Sequence, residues 1–340
     1  MSTTTTKDTS SQSDVRQLKR EADGSFKRPD SAFRSTIEKG GDFEPEKGIT
    51  FTWRIPAVSF DNPYIGLEKM PMGYFCAAWA TRAIIMRKLK GLENIIGMTS
   101  VSPRMSKEGW AFAPADDFPG TETDPVYGAQ HVRELYFKAD PDYSGRFTVP
   151  VLWDKKHHTI VNNESAEIIR ILNSSFDELL PASYQTNFYP AELQGEIDAL
   201  NEWVYPGLNN GVYRAGFATS QPAYETAVRE VFSALDRVEG ILQGKDFLVG
   251  GRLTEADIRL FVTVIRFDPV YVGHYKCNLR TIRADYPAIN KWMKQLYWTN
   301  SAFKDSTDFD HIKTLYYYSQ VIVNPTQIVP LGPVPPIEAL

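Results

Sequence analysis

Hydrophobic and polar positions divide the chain into unlike halves. Residues 1–48 are polar and aperiodic, which predicts a disordered or loosely draped N-terminal extension. Residues 51–74 are broken by Pro56, Pro63 and Pro71 and read as loop. Ala83, Ile84, Ile85 and Met86 then predict a broadly buried helix over 79–90, with Arg82, Arg87, Lys88 and Lys90 biased towards its end and Gly91 closing it. Residues 95–101 form a short β-like run, and 132–139 are predicted helical. Residues 147–154 are strongly β-type, although Pro150 cannot donate to a ladder and so marks an edge, a bend or a cis bond. A second short strand follows at 159–161. Asn162-Asn163 signals a turn, and Glu164-Ser165 opens a helix over 166–172.

From Phe188 onward the spacing is helical throughout, most clearly over 193–205, 224–242, 256–265 and 288–297. Thr254-Glu255-Ala256-Asp257 reads as a capping box with Asp257 in the final position, and Leu253 and Ile258 are placed as its hydrophobic staple. The Pro-rich end predicts extended chain lying across the surface. The expected organisation is therefore a draped extension at 1–48, an α/β domain at 49–185, an all-helical domain at 190–320 and a C-terminal extension at 321–340. A helix behind a reactive stretch, a strand–Pro–strand hairpin and a polar turn opening the next helix are the parts of a thioredoxin-like domain.

Composition narrows the function classes. Net charge is −5 with both signs interspersed, so neither nucleic acid nor an anionic membrane is favoured as partner. The N-terminus has no apolar run of the secretory type, and no segment is long and apolar enough to predict a membrane span. Cys76 and Cys277 are the only cysteines, too few for a disulfide framework, and a reducing cytoplasmic location is expected. No metal site is expected.

The candidate chemistry lies in Tyr74-Phe75-Cys76-Ala77-Ala78-Trp79-Ala80-Thr81-Arg82. A cysteine just before a helix suits a thiolate, because free N–H groups and the helix dipole favour the anion. A small buried hydrophobe is the ordinary reading of any cysteine, and it is the expectation for Cys277.

Several segments carry a family resemblance. They are Arg87-Lys88-Leu89-Lys90-Gly91-Leu92-Glu93, Leu135-Tyr136-Phe137-Lys138-Ala139-Asp140-Pro141, the stretch from Thr148 to Arg170, Gly211 to Ala218, and Arg266-Phe267-Asp268-Pro269-Val270-Tyr271. Together they resemble the glutathione transferase superfamily, and within it the xi class of glutathionyl-hydroquinone reductases. The resemblance implies the glutathione transferase fold, a commonly dimeric enzyme, bound glutathione and a small aromatic or quinoid substrate. It implies that Glu164 and Ser165 meet the γ-glutamyl group, and that Val149, before a cis Pro150, pairs with the cysteinyl backbone. Trp110 and Arg133 match positions that contact the tripeptide. Tyr213, Tyr271 and Tyr316 match tyrosines facing the quinone. With seventeen tyrosines in the chain, only the resemblance singles these three out. Taken alone, Glu164-Ser165 is a helix cap, Trp110 is packing and Arg133 is a solvated charge.

The chain departs from that family at the reactive position. The family writes Cys-Pro-Trp-Ala-x-Arg; the frame ending at Arg82 puts Ala77 at the nucleophile and Ala78 at the proline, with Cys76 one residue early. The C-terminal His-Tyr-Tyr reads Leu315-Tyr316-Tyr317, and the following His reads Gln320. Three functions follow as alternatives. Bound glutathione, its thiolate helped by the helix start and by Tyr74 or Cys76, attacks a quinone, enone or aromatic electrophile. Alternatively, Cys76 performs thiol–disulfide exchange on a glutathionyl-hydroquinone, although a one-residue displacement moves the sulfur by roughly 3–4 Å. The third is a non-catalytic scaffold.

Overall fold

The computed structural model describes residues 21–45, 49–51, 78–115 and 117–340. Its first half is built on a small mixed sheet. β1 (Ile49–Phe51) pairs in parallel with β2 (Gly97–Met98) and antiparallel with β3 (Leu152–Asp154), which pairs antiparallel with β4 (Thr159–Asn162). The strand order is β2-β1-β3-β4. α1 (Ala78–Leu89) connects the parallel pair, α2 (Val132–Ala139) precedes the hairpin, and α3 (Ser165–Ser174) follows it. This is the thioredoxin-like arrangement the sequence predicts.

α1 is buried over nearly its whole length, from Ala78 to Arg87. Its buried positions include the polar Thr81, Arg82 and Arg87 as well as its apolar residues, so it is enclosed on all sides. Here α3, α7 and α10 pack against it. Gly91, at φ +61°, ends the segment in a left-handed conformation that glycine adopts without strain.

The predicted β runs are longer than the strands. Only Gly97–Met98 of 95–101 and Leu152–Asp154 of 147–154 pair as strand. The Val149–Pro150 bond, before β3 begins, is cis. The free edge of β4 is covered by the N-terminal segment. The Ser35 N–H donates to the Val161 carbonyl at 3.0 Å, Arg34 bridges Asn162, and the Asn163 N–H donates to the Phe33 carbonyl at 3.0 Å. Of the expected extension, residues 21–45 are therefore draped in a defined place, and they cap an edge that would otherwise offer unpaired backbone groups.

The second half is all helical: α4 (Gln194–Val204), α5 (Gly211–Phe217), α6 (Gln221–Leu242), α7 (Glu255–Val264), α8 (Ile282–Asp285), α9 (Pro287–Thr299), α10 (Ser301–Lys304) and α11 (Phe309–Lys313). α6 begins three residues before the predicted start. The Ser220 hydroxyl caps it by accepting the Ala223 N–H at 3.3 Å, and Pro222 sits in its first turn. The capping box at α7 forms as predicted. Both Thr254 and Asp257 make their reciprocal bonds, and buried Asp257 also accepts the Leu248 N–H and the Trp292 indole N–H, each at 3.0 Å. Three π-helical turns interrupt the helical pattern: Tyr205–Asn209, Phe267–Tyr271 and Thr314–Tyr318. The C-terminal stretch lies extended across this domain. Ile337 is buried, Arg283 donates to the Pro335 and Pro336 carbonyls, and the Trp298 indole donates to the Glu338 carbonyl at 2.9 Å. Among the described residues no helix is long and apolar enough to cross a membrane.

Candidate active site

The site forms where the N-terminal ends of α1 and α3 approach each other. α3 opens on Glu164, whose carboxylate accepts the Ala166 N–H at 3.1 Å and the Ser31 hydroxyl at 3.0 Å. Ser165 is buried, and its hydroxyl accepts from Arg82 Nη1 at 3.4 Å. Arg82, on α1, also donates through Nη2 to the Arg259 carbonyl of α7 at 3.0 Å. Burial, and after it the neighbouring Arg259, lower Arg82 to about 9. The guanidinium lies 4.4 Å from the Trp79 ring centre. Trp79 Nε1 and Arg82 Nε are buried with no hydrogen-bond partner among the described residues.

The loop before β3 is fixed to the same corner. The buried Tyr136 hydroxyl donates to the Thr148 carbonyl at 2.8 Å and accepts the Thr148 N–H at 3.2 Å. Asn163 Nδ2 donates to that hydroxyl at 3.0 Å. Asn163 immediately precedes Glu164, so one phenol sets the spacing between the Val149 edge and the start of α3. Val149 is itself buried, and among the described residues its N–H and carbonyl pair with no other backbone group. A carboxylate, the free N–H groups of a helix start, a buried hydroxyl and an unpaired strand edge fit a zwitterionic peptide.

Trp110 and Arg133 lie on neighbouring segments, because the Val132 N–H donates to the Trp110 carbonyl at 2.9 Å. Arg133 pairs with Glu108 at 2.9 Å, so a ligand carboxylate there would share or displace a half-exposed partner.

The three tyrosines singled out by resemblance converge. Tyr316 Oη lies 2.6 Å from Tyr213 Oη and 3.1 Å from Tyr271 Oη. Tyr271 and Tyr316 are buried, which raises both phenols well above their ordinary range and keeps them protonated donors. Tyr213 is half-buried and stacks on Trp79, with ring centres 6.1 Å apart, joining the cluster to the start of α1.

Tyr271 and Tyr316 fall within π-helical turns, as does Tyr205, whose ring lies 5.7 Å from Trp79. Such turns are frequent at functional sites.

Sequence reasoning missed Tyr275, which stacks on Tyr271 at 5.5 Å and donates to Gln320 Oε1 at 2.9 Å. The same oxygen lies 3.0 Å from His274 Nε2. Burial lowers His274 to about 4, so it is neutral and donates from Nε2. Also missed were Ser31 and Arg28, which arrive from the far end of the chain. Cys277 is buried and its thiol is pushed up to about 12 by that burial, in keeping with a structural role. Tyr74, Cys76 and Ala77 lie outside the described residues.

Comparison with known proteins places this geometry. The Glutathione S-transferase N-terminal domain family matches residues 77–175, and the Glutathione S-transferase C-terminal domain family matches residues 221–295. Glutathione S-transferase omega-like 2 of Schizosaccharomyces pombe is 47% identical over 321 residues, which cover 93% of this chain and 96% of that protein. Glutathionyl-hydroquinone reductase YqjG of Escherichia coli is 46% identical over 310 residues, covering 91% of this chain and 89% of that protein. The crystal structure of the glutathione S-transferase Xi from Phanerochaete chrysosporium superposes with a TM-score of 0.89 at 53% identity, over 97% of this chain and 99% of that one. With the thioredoxin-like sheet, the helical second domain and relatives aligned over nearly their whole length, the chain belongs to the glutathione S-transferase family, in its xi class.

Proposed function

We propose that the protein is a glutathione-dependent transferase acting on a quinoid, enone or aromatic electrophile, with bound glutathione as the nucleophile. The observation that carries this reading is the corner formed by Glu164, Ser165 and Arg82, set beside Trp79 and the hydrogen-bonded tyrosines. Glutathione supplies the thiol that attacks the electrophile. Glu164 pairs with its ammonium group, and the Ser165 hydroxyl with the α3 N–H groups takes its γ-glutamyl carboxylate. Val149 pairs with its cysteinyl backbone, while Trp110 and Arg133 hold its glycyl end. The N-terminus of α1 favours an anion in front of Ala78. Burial keeps Tyr271 and Tyr316 protonated, and the hydrogen-bonded cluster they form with Tyr213 has an O–H to donate to a quinoid oxygen as charge develops on it. A homodimer working in the cytoplasm fits this reading.

A second reading has one observation in its favour, the 46% identity to a protein named as a glutathionyl-hydroquinone reductase. In that reading the Cys76 thiolate attacks the sulfur of a glutathionyl-hydroquinone, the hydroquinone leaves, and a second glutathione resolves the mixed disulfide.

Two measurements separate the readings. Calorimetry with reduced glutathione should give saturable binding, and its absence would leave only a scaffold. In Cys76→Ser, transfer to a quinone should survive. If Cys76→Ser abolishes every glutathione-dependent reaction, or if native protein forms a glutathione disulfide at Cys76, the reductase reading replaces the transferase.

A further inference from the structure

The N-terminal segment does more than cover a sheet edge. Residues 23–37 run from the helical domain to the thioredoxin-like domain across the site. At one end Ser220 Oγ donates to the Asp23 carbonyl at 2.8 Å, the Thr219 N–H donates to the Gly24 carbonyl at 2.9 Å, and buried Phe26 packs edge-on against Phe217 of α5 at 5.2 Å. At the other, Phe33 packs on Tyr136 at 5.8 Å, and buried Ile37 joins the core beyond the Ser35 backbone bond to β4. Between these anchors, the Ser31 hydroxyl donates to Glu164 and the Arg28 guanidinium lies 4.6 Å from the Trp79 ring centre.

Charge at this place does not balance. Arg28 has no ion pair among the described residues, and its electrostatic neighbours include Arg82, Arg146 and Tyr205. Arg259 is paired with Glu255 at 3.0 Å and Arg34 with Glu167. Glu164 is the carboxylate that acts on Arg82, and its two oxygens are already engaged by Ser31 and the Ala166 N–H. A half-buried guanidinium stacked on an aromatic wall, with cations around it and no ion pair among the described residues, suits an anion.

We propose that residues 23–37 form an integral wall of the active site and that Arg28 is its anion-binding residue, meeting either the γ-glutamyl carboxylate of glutathione or an acidic substituent on the aromatic electrophile. This rests on the glutathione-dependent reading above. Ser31 is a positioning residue: it holds one carboxylate oxygen of Glu164 while the helix start holds the other. The segment's two anchors hold Arg28 against Trp79 and Ser31 against Glu164.

The test uses the full chain with Arg28→Ala, Arg28→Lys and, as a charge-matched control on the same segment, the exposed Lys27→Ala. Two readouts are taken: glutathione affinity by calorimetry, and KM for a neutral naphthoquinone against its sulfonated analogue. Loss of a charge-assisted hydrogen bond corresponds to about tenfold in affinity. If the anion is glutathione's own carboxylate, Arg28→Ala weakens glutathione by about tenfold, with Arg28→Lys partly restoring it and Lys27→Ala unchanged. If the anion is on the electrophile, glutathione affinity holds, and Arg28→Ala raises KM for the sulfonated quinone alone. Equal glutathione affinity together with an unchanged preference between the two quinones would overturn the proposal. So would Lys27→Ala matching Arg28→Ala, since the effect would then be diffuse charge. Absence of glutathione binding by the unmodified protein would overturn the functional reading itself, and this inference with it.

Discussion

Asp257→Ala is expected to be among the most damaging single substitutions in the helical domain. Its carboxylate is fully buried and receives three N–H donors, from Leu248, Thr254 and Trp292, each at 3.0 Å, and the Thr254 hydroxyl at 3.2 Å. Alanine removes the acceptor and leaves those donors in place. An unsatisfied buried donor costs about 1–3 kcal/mol, so three cost about 3–6 kcal/mol once some relaxation is allowed. That is a large part of a typical stability of about 5–15 kcal/mol. At about 2–4 °C per kcal/mol for a chain of this scale, Tm should fall by roughly 10 °C or more. Asp257→Asn keeps one carbonyl oxygen with two lone pairs and should recover about half of the loss. α7 also presents the Arg259 carbonyl to Arg82, so glutathione affinity should weaken with the cap. Differential scanning fluorimetry and calorimetry on the three proteins check this. A Tm for Asp257→Ala within about 2 °C of the parent would refute the reasoning, because well-made bonds to a buried acceptor would then carry no net weight.

Burial raises Asp257 to about 6 from 3.8, so between those values the native state binds more protons than the unfolded one, and stability attributable to this group falls as pH rises through the window. The stability gap between the parent and Asp257→Asn should shrink accordingly as pH rises from 3.8 to about 6. His274 acts with the opposite sign: it is lowered to about 4 from 6.5, so it favours the native state when neutral, and that contribution is lost as pH falls from 6.5 through 4. His274→Asn should remove that part of the acid sensitivity in pH-dependent urea unfolding. Tyr136→Phe deletes the hydroxyl shared by Thr148 and Asn163 and should weaken glutathione by about 3–10-fold with little change in kcat; an unchanged Kd would show that the phenol does not position Val149. Cys277 should resist thiol reagents in the native protein and react only in denaturant, as read by peptide mass mapping; rapid native labelling would contradict its burial.

The parts of the fold that repeat locally were legible in the chain. Helices α1, α2, α6, α7 and α9 follow their apolar spacing, and the α7 capping box is spelled out residue by residue. The strands were harder. Residues 147–154 are rich in β-branched and aromatic residues, but Pro150 has no N–H to donate and the partner strand β1 is three residues long, so three residues enter the ladder. Propensity speaks for each residue, whereas pairing depends on the neighbouring strand. The local signature of a helix start marked Glu164 and Ser165 as a cap, and only the family resemblance gave them a ligand. Ser31 and Arg28 could not be found, since their partners lie more than a hundred residues away or on another element and the polar segment holding them has no period. Tyr275 escaped for a related reason: its role comes from stacking on Tyr271, and nothing in the amino-acid order separates it from the other tyrosines.

The π-helical turns make the electrophile side of this protein open to change by unusual means. Each turn is an α-helix holding one extra residue. Removing a residue from the turn Tyr205–Asn209 would return the helix to regular winding while α5 beyond it kept its rotational phase. Tyr213 would stay beside Trp79, and the change would fall on the turn itself, where Tyr205 meets the same ring. Insertions and deletions of single residues are normally confined to loops. Here, three helices can absorb them, so new substrate preferences are reachable by changes in length as well as by changes of side chain, with the glutathione half of the molecule left as it is.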